Sequence, residues 1–106
     1  VTTKELTILL AEKVMGWRVA PDRFLMDGRR WLATWRFQPT KNIADAFQLL
    51  ERADVNEYIL RVDRKGLCRA KVRTSSASGE ATSSSLPLAI CVAVARAYGI
   101  RVEGRG

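Results

Sequence analysis

Residues 57–73 read Glu-Tyr-Ile-Leu-Arg-Val-Asp-Arg-Lys-Gly-Leu-Cys-Arg-Ala-Lys-Val-Arg, and their alternation decides the fold. Tyr58, Leu60 and Val62 alternate with Ile59, Arg61 and Asp63. After Arg64-Lys65-Gly66, Cys68, Ala70 and Val72 alternate with Leu67, Arg69, Lys71 and Arg73. A period of two sends successive side chains to opposite faces of a strand, so this segment predicts an antiparallel hairpin with one face inside. The other face carries a row of positive charge.

Upstream, Pro39-Thr40-Lys41-Asn42 breaks the chain and opens a helix with Thr40 or Asn42 as cap. Ile43, Ala46, Phe47, Leu50 and Ala53 supply its predicted buried face, while Asp45, Gln48 and Arg52 face water. Further back, Phe24-Leu25-Met26 and Trp31–Trp35 flank the turn dipeptide Asp27-Gly28 and pair as a short hairpin. The first helix spans about residues 3–15: Thr2 and Glu5 form a capping box, Leu6, Leu9, Leu10 and Val14 form one stripe, and Gly16 stops it. Trp17 then folds back on the last turn.

Downstream, residues 74–85 (Thr-Ser-Ser-Ala-Ser-Gly-Glu-Ala-Thr-Ser-Ser-Ser) read as a polar loop, near the length limit for a structureless connection. A final helix runs from about Leu86 to Tyr98, with Pro87 in its first turn and Gly99 after it. Leu88 to Ala95 are all apolar, so this helix is expected to be buried nearly all round. Residues 100–106 read as a flexible tail that starts with a brief strand.

The order is α-β-β-α-β-β-α, an α+β chain with a mostly antiparallel sheet and helices against it. At 106 residues this is a single domain, long enough to bury a core without staples. Cys68 and Cys91 lie in apolar runs and read as small buried hydrophobes; with no histidine in the chain they do not make a zinc site. No run approaches the roughly 20 apolar residues of a membrane span, and Lys4, Glu5, Glu12 and Lys13 interrupt any secretory signal. The expectation is a reduced, cytoplasmic protein.

Three segments carry a family resemblance. Leu10-Ala11-Glu12-Lys13-Val14-Met15-Gly16-Trp17 is similar to the opening signature of the phage ABA sandwich domain family. So is Phe37-Gln38-Pro39-Thr40 leading to Ile43-Ala44-Asp45-Ala46. Leu86-Pro87-Leu88-Ala89-Ile90-Cys91 with Ala93 resembles a third element, and the three lie in the family's order. The resemblance implies a three-layer α-β-α sandwich encoded by a phage or prophage. It brings no agreed activity, so no functional residue is carried over. The serine-rich stretch departs from the family pattern.

Chemistry is sparse. Without histidine there is no Ser-His or Cys-His nucleophile and no general base of the usual kind. No phosphate-loop spacing occurs, and no carboxylates pair at a useful spacing. The expectation is therefore a non-enzyme that uses no cofactor or metal and acts by binding. The net charge of +7 fits an anionic partner, with six basic against two acidic residues in 57–73. Arg61, Arg69, Lys71 and Arg73 share a strand face suited to phosphates. Ser83, Ser84 and Ser85 abut the start of the last helix, where hydroxyls and the positive helix end meet. These seven residues form the predicted anion site.

The leading expectation is a phage accessory protein that inhibits a host defence by masking a host protein or sequestering a nucleotide. The rival readings are a nucleic-acid-binding module and a small structural or assembly protein. The chain lacks a reading helix or zinc finger for the former. A homo-oligomer is compatible with either, and an exposed Trp17 or Trp35 would provide an apolar contact.

Overall fold

A computed structural model describes residues 2–26 and 29–100. Helix α1 (Thr3–Lys13) is followed by strands β1 (Arg18–Val19), β2 (Arg23–Leu25) and β3 (Trp31–Ala33), then a 3-10 turn at Thr34–Arg36. Helix α2 (Ile43–Arg52), strands β4 (Val55–Val62), β5 (Cys68–Thr74) and β6 (Ser78–Ser83), and helix α3 (Leu86–Ala97) complete the chain. Each set of three strands makes its own antiparallel sheet, in order β1-β2-β3 and β4-β5-β6. The result is the expected α+β sandwich, with two strands, β1 and β6, beyond the four of the expected order, giving α-β-β-β-α-β-β-β-α.

The central hairpin forms as the alternation predicts. Glu57 pairs with Arg73 and Val62 with Cys68, without slip. Asp63 closes the turn: its carboxylate accepts from the amides of Lys65 and Leu67 at 2.9 Å each, and Gly66 takes φ 82, which a side chain would resist. On β5 the alternation is complete, with Cys68, Ala70, Val72 and Thr74 buried and Arg69, Lys71 and Arg73 exposed.

The serine-rich stretch is not a loop. Thr74–Ala77 make a tight turn in which the Thr74 amide donates to the Ala77 carbonyl at 2.8 Å. The Thr74 hydroxyl also donates to that carbonyl and accepts from the Ala77 amide, each at 3.1 Å. Strand β6 follows, pairing Ser78 with Arg73 through to Ser83 with Cys68. Its composition lacks the branched and aromatic residues that mark strands. The reason lies above it, because α3 crosses β5 and β6 so closely that Gly79 and Ala81 are the inward residues. A Cβ at position 79 would overlap the Ala93 carbonyl oxygen and sit 2.6 Å from the Ala97 amide nitrogen.

Helix α3 is buried nearly all round, as expected: Ala89 to Ala95 and Ala97 are all buried. It lies between the β4–β6 sheet on one side and α2 and α1 on the other. The far face of that sheet is left open. Arg96, the helix's charged residue, donates to the Glu80 carbonyl at 2.7 Å and so ties the helix to β6. Ile100, expected to belong to the tail, is instead buried, its amide donating to the Ala95 carbonyl at 2.8 Å. The rest of the expected tail and the Asp27-Gly28 dipeptide lie outside the described residues.

Helix α2 starts at Asn42, whose side chain accepts from the Ala44 and Asp45 amides. Its buried face is rotated from the predicted one. Ala46, Leu49, Leu50 and Ala53 are inside, whereas Ile43 and Phe47 are exposed. Helix α1 ends two residues early, and Thr2 caps it by accepting from the Glu5 amide. The other half of the capping box is altered: the Glu5 carboxylate accepts from the Thr2 hydroxyl. Trp17 folds back as expected, into a cluster with Phe24 and Phe37 at centroid separations of 5.0–5.8 Å. Burying each such ring contributes roughly 2–3 kcal/mol. Both cysteines are free and buried, which bears out their reading as core residues.

Candidate functional site

The seven predicted site residues do not converge. Arg69, Lys71 and Arg73 do share the open face of β5, and Arg61 on β4 lies directly across from Arg69. Part of that face's charge is already met. Arg69 lies 3.7 Å from Glu80 and Arg73 lies 3.5 Å from Glu57. Exposed pairs of this kind stabilise little, so a stronger anion would displace them readily. The serines stand elsewhere. Ser83 pairs with buried Cys68 and thus belongs to the helix-covered face, opposite the arginines. Its hydroxyl accepts from the Ser85 amide at 3.1 Å, and Ser85 caps α3 without a side-chain hydrogen bond. Ser84 is exposed between them. The sheet therefore separates Ser83 from the basic row.

A concave feature lies away from the β4–β6 sheet. A groove of about 620 Å³ opens between the first turns of α1, the β1–β2 hairpin and the chain from β3 into α2. Phe24 and Phe37, both fully buried, form its floor. Val19, Pro21 and Ile8 add apolar wall. The indole of Trp35 stands on the rim, 71% exposed. Lys4 on α1 and Lys41 just ahead of α2 bring two cations to the same opening, with the hydroxyls of Thr3, Thr7, Thr34 and Thr40 around them.

Local chemistry explains why the rim is shaped this way. Gln38 is held twice: its side-chain amide donates to the Trp35 carbonyl at 2.7 Å, and its backbone amide donates to the Asp45 carboxylate at 2.9 Å. These bonds fold residues 34–38 into a tight turn, and Pro39 then carries the chain into α2. Within this turn the Trp35 side chain projects outward. The Thr34 amide and hydroxyl both donate to the Asp22 carbonyl, at 3.2 and 3.3 Å, which joins this turn to the β1–β2 hairpin. Arg23 is engaged nearby. It makes a two-pronged contact with Asp22, both bonds 3.1 Å, and lies 4.7 Å over the Trp31 ring. That guanidinium holds the Asp22 carboxyl below the usual carboxylate range.

An apolar groove of this size with a few polar and charged groups at its edge has the composition of a small-molecule site. The sequence reading misses it because Lys4, Trp35 and Lys41 come from three separate segments and share no spacing. The one signal in the sequence is Trp35, which reads there only as a source of exposed apolar surface.

The model of the phage ABA sandwich domain matches residues 8–94. The chain belongs to this family. A solved structure described as a phage protein from Bacillus cereus ATCC 14579 superposes with a TM-score of 0.80 at 20% identity, over 97% of this chain and 93% of that one. At that identity the likeness concerns the fold. A search of the curated proteins found no match. The three sequence segments that resemble the family fall on the end of α1, the turn into α2 and the start of α3. In the phage ABA sandwich domain of this chain they make core and caps. One of them also reaches the groove, through Phe37, Gln38 and Thr40.

Proposed function

We propose that this phage protein is a non-catalytic binding protein whose groove takes a nucleotide-type ligand, a flat base with attached phosphate. The observation that carries the reading is the meeting of Trp35, Lys4 and Lys41 around one apolar groove. An exposed indole offers a face on which a planar ring stacks, an interaction of about 1–3 kcal/mol in nucleic-acid complexes. Two ammonium groups and the hydroxyls of Thr3 and Thr40 supply charge and donors for the phosphate, those of Thr7 and Thr34 being already donated to backbone carbonyls. Capturing such a ligand would remove a nucleotide signal from a host defence. The proposed site is thus the groove, in place of the basic hairpin and helix-start serines expected from the sequence.

A calorimetric titration with ATP, used as a generic base-plus-phosphate probe, tests the site. Wild type is expected to bind it, and the Lys4→Ala/Lys41→Ala variant to bind at least about tenfold more weakly, a loss of about 1.4 kcal/mol. Equal binding by both proteins would remove the groove from the account.

A second reading is favoured by one observation, the uncovered row of Arg69, Lys71 and Arg73 beside Arg61. That face suits a broad acidic surface, either a host protein to be masked or a nucleic-acid backbone. Binding that falls steeply with salt and is lost in Arg69→Ala/Arg73→Ala, with the groove variants unaffected, would favour it.

A further inference from the structure

Strand β4 is an edge. It pairs with β5 on one side and with no strand on the other. The Asp63 amide donates to the Leu67 carbonyl at 3.0 Å, so backbone groups of odd-numbered residues along β4 point at β5. Those of Tyr58, Leu60 and Val62 therefore point out of the sheet. The side chains here are unusually apolar for an edge: Tyr58 is 48%, Ile59 43% and Val62 60% exposed. Phe47 of α2, also exposed, stands beside Tyr58 and extends that surface. Long apolar edges are normally blunted, because they pair with other chains.

The charges on this edge are self-complementary. Outward-pointing residues can meet only outward-pointing residues, so an antiparallel β4–β4 pair has few registers. Centred on Leu60, it would set Glu57 against Asp63 of the second copy and Ile59 against Arg61. Centred on Tyr58, it would set Glu57 against Ile59. Centred on Ile59, it sets Glu57 against Arg61 twice, Tyr58 against Leu60 twice, and Ile59 against itself. Arg61 also has a reason to accept that partner. Within the chain it faces Arg69, and among the described residues no acidic group pairs with it. Like charges directly opposite on a sheet repel.

We propose that β4 is a dimerisation edge: two copies pair antiparallel about Ile59, merging two three-stranded sheets into one. The twofold axis stands perpendicular to the sheet, so both α3 helices lie on one side and both basic rows on the other. Crossed Glu57–Arg61 pairs flank the Ile59–Ile59 contact on the open face. Tyr58 and Leu60 cover each other on the helix side. This inference is independent of the groove, which lies outside the β4–β6 sheet.

Sedimentation equilibrium of the full chain, with a charge swap, tests it. Wild type is expected to be a dimer at tens of micromolar, as for a Kd of order micromolar. Glu57→Arg places a second guanidinium opposite Arg61 of the other copy and is expected to weaken association at least about tenfold. Arg61→Glu is expected to do the same by setting two carboxylates together, and the double variant Glu57→Arg/Arg61→Glu to restore the dimer. Thermal melts of each variant at low concentration check that the fold is kept, since all the changed side chains are exposed. A monomeric wild type overturns the proposal. So does a dimer that neither single substitution weakens, or weakening that the swap does not repair.

Discussion

Gly79 and Ala93 are in contact through their backbones: a methyl group added at Gly79 would overlap the Ala93 carbonyl oxygen. This sets the distance between α3 and the sheet, and it explains why an otherwise strand-poor sequence forms β6. Gly79→Ala should push the helix off the strand. Overpacking of this kind costs about 1–3 kcal/mol, and here the obstructing atoms are backbone. Chemical denaturation is expected to show that loss. At Ala77, exposed in the preceding turn, Ala77→Ser should change stability by less than about 0.5 kcal/mol.

The tryptophans divide by environment. Trp17 is buried against Phe24 and Phe37, whereas Trp35 projects into solvent. Trp17→Ala is expected to cost about 3–5 kcal/mol. Trp35→Ala should leave the melting temperature almost unchanged, as exposed substitutions do. A large loss of stability in Trp35→Ala would mean the indole packs inward, and the groove would lose its rim.

Burial pushes the Cys91 thiol well above its ordinary range, and the negative charge of Asp45 adds to the effect. The sign of the pH dependence follows. Above the unfolded thiol's pKa of about 8.5, the unfolded chain has lost a proton that the native chain retains. Stability therefore falls as pH rises through and beyond that value, by up to about 1.4 kcal/mol per unit from this group. Denaturation series at neutral and alkaline pH should show a shallower decline in Cys91→Ala than in wild type. Native protein should also react slowly with thiol reagents, since the thiolate is the reactive form.

Tyr98 reaches back across the domain, its hydroxyl accepting from the Asp54 amide at 2.9 Å. This bond joins the end of α3 to the entry of β4. Tyr98→Phe is expected to lower stability by about 1 kcal/mol. Amide exchange at Asp54 should quicken more than the global loss accounts for.

The hairpin at 57–73 is legible in the sequence because one face of β5 is fully buried, which forces strict alternation. Helix α3 is legible because burial on all sides leaves an unbroken apolar run. Strand β6 is hidden by the closeness of α3, which replaces the usual strand residues with glycine and alanine. The face of α2 is misread because Phe47 and Ile43 are more apolar than their positions require, while Leu49 takes the inward place. The basic row is legible as local alternation. Its separation from Ser83 is a matter of strand register, which the sequence of a serine-rich segment does not reveal. The groove is assembled across elements, so no local pattern announces it.

Nucleotide capture is tested most directly by native mass spectrometry of the purified protein after incubation with a nucleotide extract of phage-infected bacteria, run beside Trp35→Ala. The wild type is expected to carry a bound species of a few hundred daltons, absorbing near 260 nm, that is absent from the variant. A wild type that emerges with its bare mass, or a variant that keeps the same adduct, would contradict nucleotide capture at the groove.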